Sequence, residues 1–255
     1  MDKVKIFEPL LKEFETDEMR DYCSDMIEKI PDYIFTIPSS TSGKYHNATQ
    51  CETHGQIYHI YMFASVMNHL LRLEHRKEEF PKPEQRDCMR CIPIFHDAIK
   101  CGLNGSTYTV FDHPMLAGEW VRNTKVEHDI DDKLKEVIAR MCERHSGEWT
   151  TSKRSRVVLP KPETTMEKLC HECDILASRA DLDMIIPKEL KAILSGAEIP
   201  QEELPDINTY KITFGKYNGQ LITDIAKNHK DYLQWMNDNM SLREPLKTFV
   251  HELLK

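Results

Sequence analysis

Residues 91–102 read CIPIFHDAIKCG, an apolar run interrupted by His96-Asp97, with Lys100 four residues after the histidine. A polar pair inside a buried segment must find partners there, because desolvation without compensation is costly. Alone, the dipeptide reads two ways: as part of a metal site, or as a core histidine hydrogen-bonded to its neighbours. What stands elsewhere along the chain decides between them.

Apolar residues recur at helical spacing in 56–73, 130–142 and 166–186, so the first 200 residues are expected to be mostly helical. His59 opens the first of these helices, His113 precedes Pro114 at a helix start, His145 closes the helix at 130–144, and Asp181 lies near the end of 166–186. A helical bundle gathers ligands in this way, at one end of its core. His54, His69, His75, His128 and His251 read as caps or surface residues. The stretches 37–55 and 145–162 are rich in Ser, Thr, Gly and Pro and form long loops, which in compact domains usually serve function.

The chain has 255 residues, 40% apolar and 30% charged, in keeping with a folded globular protein. No run of about 18 apolar residues predicts a membrane span. The N-terminal stretch lacks a signal-peptide core, so a cytoplasmic location is expected. The net charge of −8 argues against a generally basic nucleic-acid binder. Residues 209–255 nevertheless carry +2, behind a body of −10, which is compatible with a nucleic-acid contact in that tail. Eight cysteines include two CxxC pairs, Cys88/Cys91 and Cys170/Cys173. Together they read either as a four-thiolate zinc site or as buried apolar-like cysteines. The second reading is favoured because each pair lies in a helical pattern without a glycine-rich knuckle.

A composition shift at 195–208, with two prolines and four carboxylates, marks a linker placed at 201–208. It divides a helical domain, 1–200, from a small module, 209–255. There YKITFGKYNGQLI alternates well enough for a strand pair turning at Asn218-Gly219. Helical stretches follow at 221–239 and 242–255, so the module is expected to be α+β.

The phrases PSSTSGKYH (38–46), HGQIYHIYMFA (54–64), FHDAIKCG (95–102), YTVFDHPMLAGEWV (108–121), CERHSGEW (142–149) and LASRADL (176–182) occur in an order that resembles HD-domain metal-dependent phosphohydrolases, including phage members. The resemblance implies a mainly α helical bundle in which His59, His96, Asp97 and Asp181 hold one metal. His113 and His145 complete a second, with Asp97 bridging, and His46 lines the site. Two places depart from the pattern: His54-Gly55 stands where the family often has a glycine pair, and Pro93 sits three residues before His96, where an uninterrupted helix is usual, so that it either kinks the helix or marks its first turn. ITFGKYNGQLITDIAKNHKDYLQWMNDN (212–239) resembles a module at the end of exonuclease-X-like and phage proteins. That likeness makes Lys216, Tyr217 and Trp235 nucleic-acid-binding candidates, although the module's aromatics also read as its small core.

A mixed His/carboxylate shell suits Mn, Fe, Co, Ni or Zn better than Mg. Asp97 and Lys100 are the candidate catalytic residues, Lys100 standing one helical turn beyond His96 to meet a phosphate oxygen. Lys44, His46 and Arg179 are further substrate-binding candidates. The activity implied is cleavage of a nucleotide or small phosphodiester by a metal-activated water. One alternative is a nuclease on single-stranded DNA or RNA reached through the C-terminal module; another is a non-catalytic, nucleotide-sensing HD module.

Overall fold

The computed structural model describes residues 2–40, 46–153, 155–179, 181–182, 188–197, 205–240, 242 and 245–255. They form two compact units, Met1–Glu198 and Ile199–Lys255, each with its own buried apolar cluster. Both are helical. The first contains α1 (Lys3–Leu11), α2 (Asp17–Glu28), α3 (Gly55–Leu71), α4 (Glu74–Glu79), α5 (Pro83–Phe95), α6 (His113–Asn123), α7 (Asp132–Arg144), α8 (Thr165–Ala177) and α9 (Lys188–Ser195). The second contains α10 (Ile222–Asn228), α11 (Lys230–Asn239) and α12 (Leu246–Leu254). No helix among the described residues is long and apolar enough to cross a membrane.

Helix α5 is the axis of the larger unit. Every residue from Arg86 to Phe95 is buried, as expected of a helix enclosed on all sides. It packs on α2, α3, α7 and α8, while α3 also meets α8 and α7 meets α6 and α8. Pro83 at its start is pre-set for the first helical turn. Pro93 lies in its last turn, and the helix runs through it to Phe95.

Burying α5 also buries charge. Asp87 is 0% exposed and accepts from the backbone N–H of Glu15 and Thr16, the Thr16 hydroxyl and Arg90. Arg86 and Arg90 both reach Glu15. This network ties the α1–α2 connection to α5. Hydrogen bonds from Arg86, joined by Arg90 and opposed by burial, draw the Glu15 carboxyl down to about 2.

The structure departs from sequence expectation at two places. Helix α8 ends at Ala177 with Ser178 as its C-cap, so the expected helix over 166–186 stops before Asp181. In the smaller unit the expected strand pair is one antiparallel bridge, Lys211 to Leu221, with Ile212 N–H donating to Gln220 and Gly219 N–H to Ile212. Gly215 and Gly219 adopt positive φ between the would-be strands, which turns the chain too soon for a ladder. The described part of this unit is therefore helical, not α+β. The cysteines follow the favoured reading: all four in the CxxC pairs are buried and join no group of converging ligand atoms among the described residues. Burial pushes the Cys88 thiol up to about 12, and Cys170 Sγ rests against Met141 Sδ at 3.4 Å. They act as core residues. Of the expected linker, residues 201–204 lie outside the described residues.

Replacing Asp87 by Ala leaves Arg90 buried with a lost partner and is expected to cost about 3–5 kcal/mol in urea unfolding. The Glu15 carboxyl has a folded value below its ordinary 4.5, so its contribution is complete above that pH and is lost as pH falls toward 2. Tm measured against pH should therefore fall less steeply on the acid side in Glu15→Gln than in the parent protein.

Candidate metal centre

His59 stands in the second turn of α3, His96 caps the C-terminus of α5, and Asp97 follows it directly. His113 is the first residue of α6, His145 is the C-cap of α7, and Asp174 lies in the last turn of α8. These six side chains converge in two groups, His59/His96/Asp174 and Asp97/His113/His145, with the ligand atoms of each within 4.8 Å of one another.

In the first group, His59 Nε2 is 3.0 Å from Asp174 Oδ1 and 3.3 Å from His96 Nε2. In the second, His113 Nε2 is 3.0 Å from Asp97 Oδ1 and 3.3 Å from His145 Nε2. Asp97 joins the two, because its Oδ2 lies 3.3 Å from His96 Nε2 while its Oδ1 faces His113.

Backbone carbonyls orient three of the rings. His96 Nδ1 lies 3.0 Å from the Pro93 carbonyl, His113 Nδ1 2.7 Å from that of Val110, and His145 Nδ1 2.7 Å from that of Cys142. A carbonyl only accepts, so each Nδ1 carries a proton, and a ring with that proton alone turns the lone pair of Nε2 inward. The Nε2 atoms of His113 and His145 therefore present lone pairs to each other and to Asp97 Oδ1. That oxygen is buried and has no hydrogen-bond donor. Converging acceptors without a donor fit a cation, and donation from the far ring nitrogen to a carbonyl is the usual way a metal-ligating histidine is held. The donor set fits two divalent ions, with Asp97 turned toward both.

Burial alone would raise the Asp97 carboxyl, yet the adjacent Lys100 ammonium, above all, holds it well below the usual carboxylate range. Asp174 is also lowered against burial, chiefly by His59 and His96. Burial pushes His145 down to about 3 and lowers His59, keeping both neutral and able to ligate. His96 shifts upward despite burial because Asp97 and Asp174 face it.

Thus the structure brings together His59, His96, Asp97, His113 and His145 from among the residues singled out in the sequence. Asp181 is exposed, beyond the end of α8, and belongs to neither group. Asp174 takes the place expected for it. The signal for Asp174 was a carboxylate one turn from both Cys170 and Ala177, which are buried on the apolar face of α8.

Lys100 also differs from expectation. Past Phe95 the chain tightens, with Ala98 N–H donating to Phe95 and Lys100 N–H to Asp97. This brings Lys100 Nζ to 2.5 Å from Asp97 Oδ2 and 3.0 Å from Gln56 Oε1, in a buried position. The ammonium is committed to Asp97 rather than presented to a phosphate. Gln56, unremarked in the sequence, is fully buried and donates to the same Oδ2 at 3.1 Å. It stands one turn before His59 on α3, and that spacing was its only signal.

His46 lines the first group, its ring 5.5 Å from that of His59 and its Nδ1 2.7 Å from Gln50. Burial lowers it to about 4. Arg179 donates to the Ile175 carbonyl, and Lys44 lies outside the described residues. His54, at the position where a glycine was expected, has φ +66° and is held by Nδ1 to the Phe35 carbonyl at 2.5 Å. Such a conformation costs a side-chain-bearing residue about 1–2 kcal/mol, a cost that glycine does not carry.

In the smaller unit, Tyr217 is buried and stacks on His229 with centroids 4.6 Å apart, and Lys216 Nζ lies 5.2 Å above the Tyr217 ring. Trp235 is 51% exposed and stacks on Tyr232 at 5.8 Å. Tyr217 is thus a core residue, while Trp235 offers an open ring.

Residues 212–241 match the family described as Exodeoxyribonuclease X-like C-terminal. No curated protein and no solved structure matches the chain.

Asp174→Ala is expected to weaken manganese or zinc binding by more than ~100-fold, above the cost of losing an outer hydrogen-bond partner. Asp181→Ala should leave metal content unchanged. Metal analysis of both proteins after dialysis checks the assignment, and equal loss in the two would reverse it.

Proposed function

We propose that the larger unit is an HD-domain metal-dependent phosphohydrolase that cleaves a nucleotide or small phosphodiester. The observation that carries this reading is Asp97, a buried carboxylate with one oxygen toward each of the two ligand groups. The order of His59, His96-Asp97, His113 and His145 along the chain, and the phrases around them, support it. His59, His96 and Asp174 would hold one ion, and Asp97, His113 and His145 the other. Divalent ions bound there would supply Lewis-acid stabilisation of phosphate charge and a water activated near neutral pH.

The chain's own residues prepare that chemistry. Lys100 and Gln56 fix Asp97 Oδ2, which keeps the carboxylate anionic and leaves Oδ1 facing His113 and His145. The carbonyls of Pro93, Val110 and Cys142 hold three imidazoles in one tautomer. His46, beside His59, is placed to meet a substrate at the first group. Lys100 in this reading is a positioning residue for Asp97.

A second reading, a nuclease on single-stranded nucleic acid, draws on the family match at 212–241 and on Trp235. An exposed ring with cationic groups on the same unit suits base stacking and phosphate contact.

A metal-supplemented screen of mononucleotides, cyclic dinucleotides and single-stranded oligonucleotides, read by product mass, tests the proposal. Asp97→Ala should lower turnover by more than ~100-fold, and full activity after exhaustive chelation would refute the metal-dependent reading. If the nuclease reading holds, Trp235→Ala should weaken oligonucleotide binding roughly 10-fold while mononucleotide turnover stays at the parent rate.

A further inference from the structure

Trp149 is 59% exposed, on the loop that follows α7 and four residues after His145. A large apolar ring left in water is unusual enough to ask what holds it there. Its edge meets the ring of His171, with centroids 6.0 Å apart at 68°. His171 Nδ1 in turn lies 2.7 Å from the His145 carbonyl. That carbonyl accepts, so His171 donates, and its ring is fixed to the backbone of one residue of the second ligand group.

His171 is also one helical turn before Asp174 on α8, so the two share a helix face. Trp149 is therefore braced by a side chain adjoining both ligand groups: His145 through its carbonyl, and Asp174 through the helix.

The loop is built to allow this contact. Gly147 has φ +61°, and a Cβ added there would lie 2.0 Å from Cε1 and Nε2 of His171. Only glycine admits the His171 ring at that distance. Beyond Trp149 the chain folds back, with Leu159 N–H donating to the Thr150 carbonyl at 2.9 Å. The excursion between them carries exposed Lys153 and Arg156, cations in a body whose net charge is negative.

An open aromatic ring linked through His171 to residues of both ligand groups, with lysine and arginine on the same loop, has the chemistry that receives a base and the phosphates attached to it. We infer that Trp149, braced by His171 and Gly147, is a specificity-determining platform on which a nucleobase of the substrate stacks, with Lys153 and Arg156 meeting its flanking phosphates. This rests on the phosphohydrolase reading for the metal centre and narrows it to base-bearing phosphoesters.

Two phosphodiesters with one backbone separate the possibilities: a short single-stranded oligothymidylate, and the same chain with abasic residues, both with manganese. The ratio of kcat/KM for the base-bearing over the base-free chain should fall roughly 10-fold in Trp149→Ala and return in Trp149→Phe. An unchanged ratio in Trp149→Ala overturns the inference. A second readout needs no turnover. Oligothymidylate should quench tryptophan fluorescence of the full chain, and the part due to Trp149 should vanish in Trp149→Phe. Quenching retained in full by that variant also overturns the inference. If the parent protein cleaves neither of these chains nor any mononucleotide or cyclic dinucleotide with manganese while the Trp149 quenching is present, the phosphohydrolase reading fails and the base platform stands.

Discussion

The Asp97 carboxylate, 4% exposed at the end of a helix buried on all sides, must be compensated for the larger unit to fold. An isolated buried charge would cost several kcal/mol or neutralise by taking up a proton (roughly, after relaxation). Lys100 and Gln56 satisfy one oxygen. The other faces the Nε2 atoms of two histidines whose protons are held on the far side of the ring. The fold thus completes one half of the compensation with its own side chains and turns the other toward two imidazole nitrogens, an arrangement that could hold a cation.

That requirement reaches outward through the packing. α5 ends where it does so that His96 and Asp97 emerge together, and the Pro93 carbonyl receives the His96 ring proton. Pro93 is therefore placed where its carbonyl orients the His96 ring. Toward the other end of α5, Asp87, Arg86, Arg90 and Glu15 anchor the helix to the α1–α2 connection. A rigid helix with polar networks along it is what an exact donor geometry at its tip demands.

Much of the centre was legible beforehand, and its gaps have specific causes. His59, His96-Asp97, His113 and His145 are readable as an ordered set, each at or near the end of a helix and in the order of the resembled phrases. Asp181 looked suitable because apolar spacing continues past Ala177, yet spacing does not mark where a helix stops. The cap at Ser178 ends it, and Asp174, one turn inside, faces His59 instead. Lys100 was read as a helical neighbour of His96; the tightened turns after Phe95 bring it over Asp97. Trp149 and His171 carried no periodic signal at all, since one is in a loop and the other is a histidine on an intermediate helix face.

The amino-acid pattern by itself determined that the chain is mainly helical, that an acidic body precedes a weakly basic tail, and which histidines interrupt apolar faces. Those properties are local: helical periodicity, composition and charge are summed over neighbours in sequence. Tertiary structure alone decided which carboxylate joins His59, which cation faces Asp97, and that the tail's alternating residues form a single bridge rather than a ladder. Each of these depends on atoms brought within about 3 Å from distant segments, the range over which hydrogen bonds and ligand geometry act. No spacing rule along the chain reports such distances.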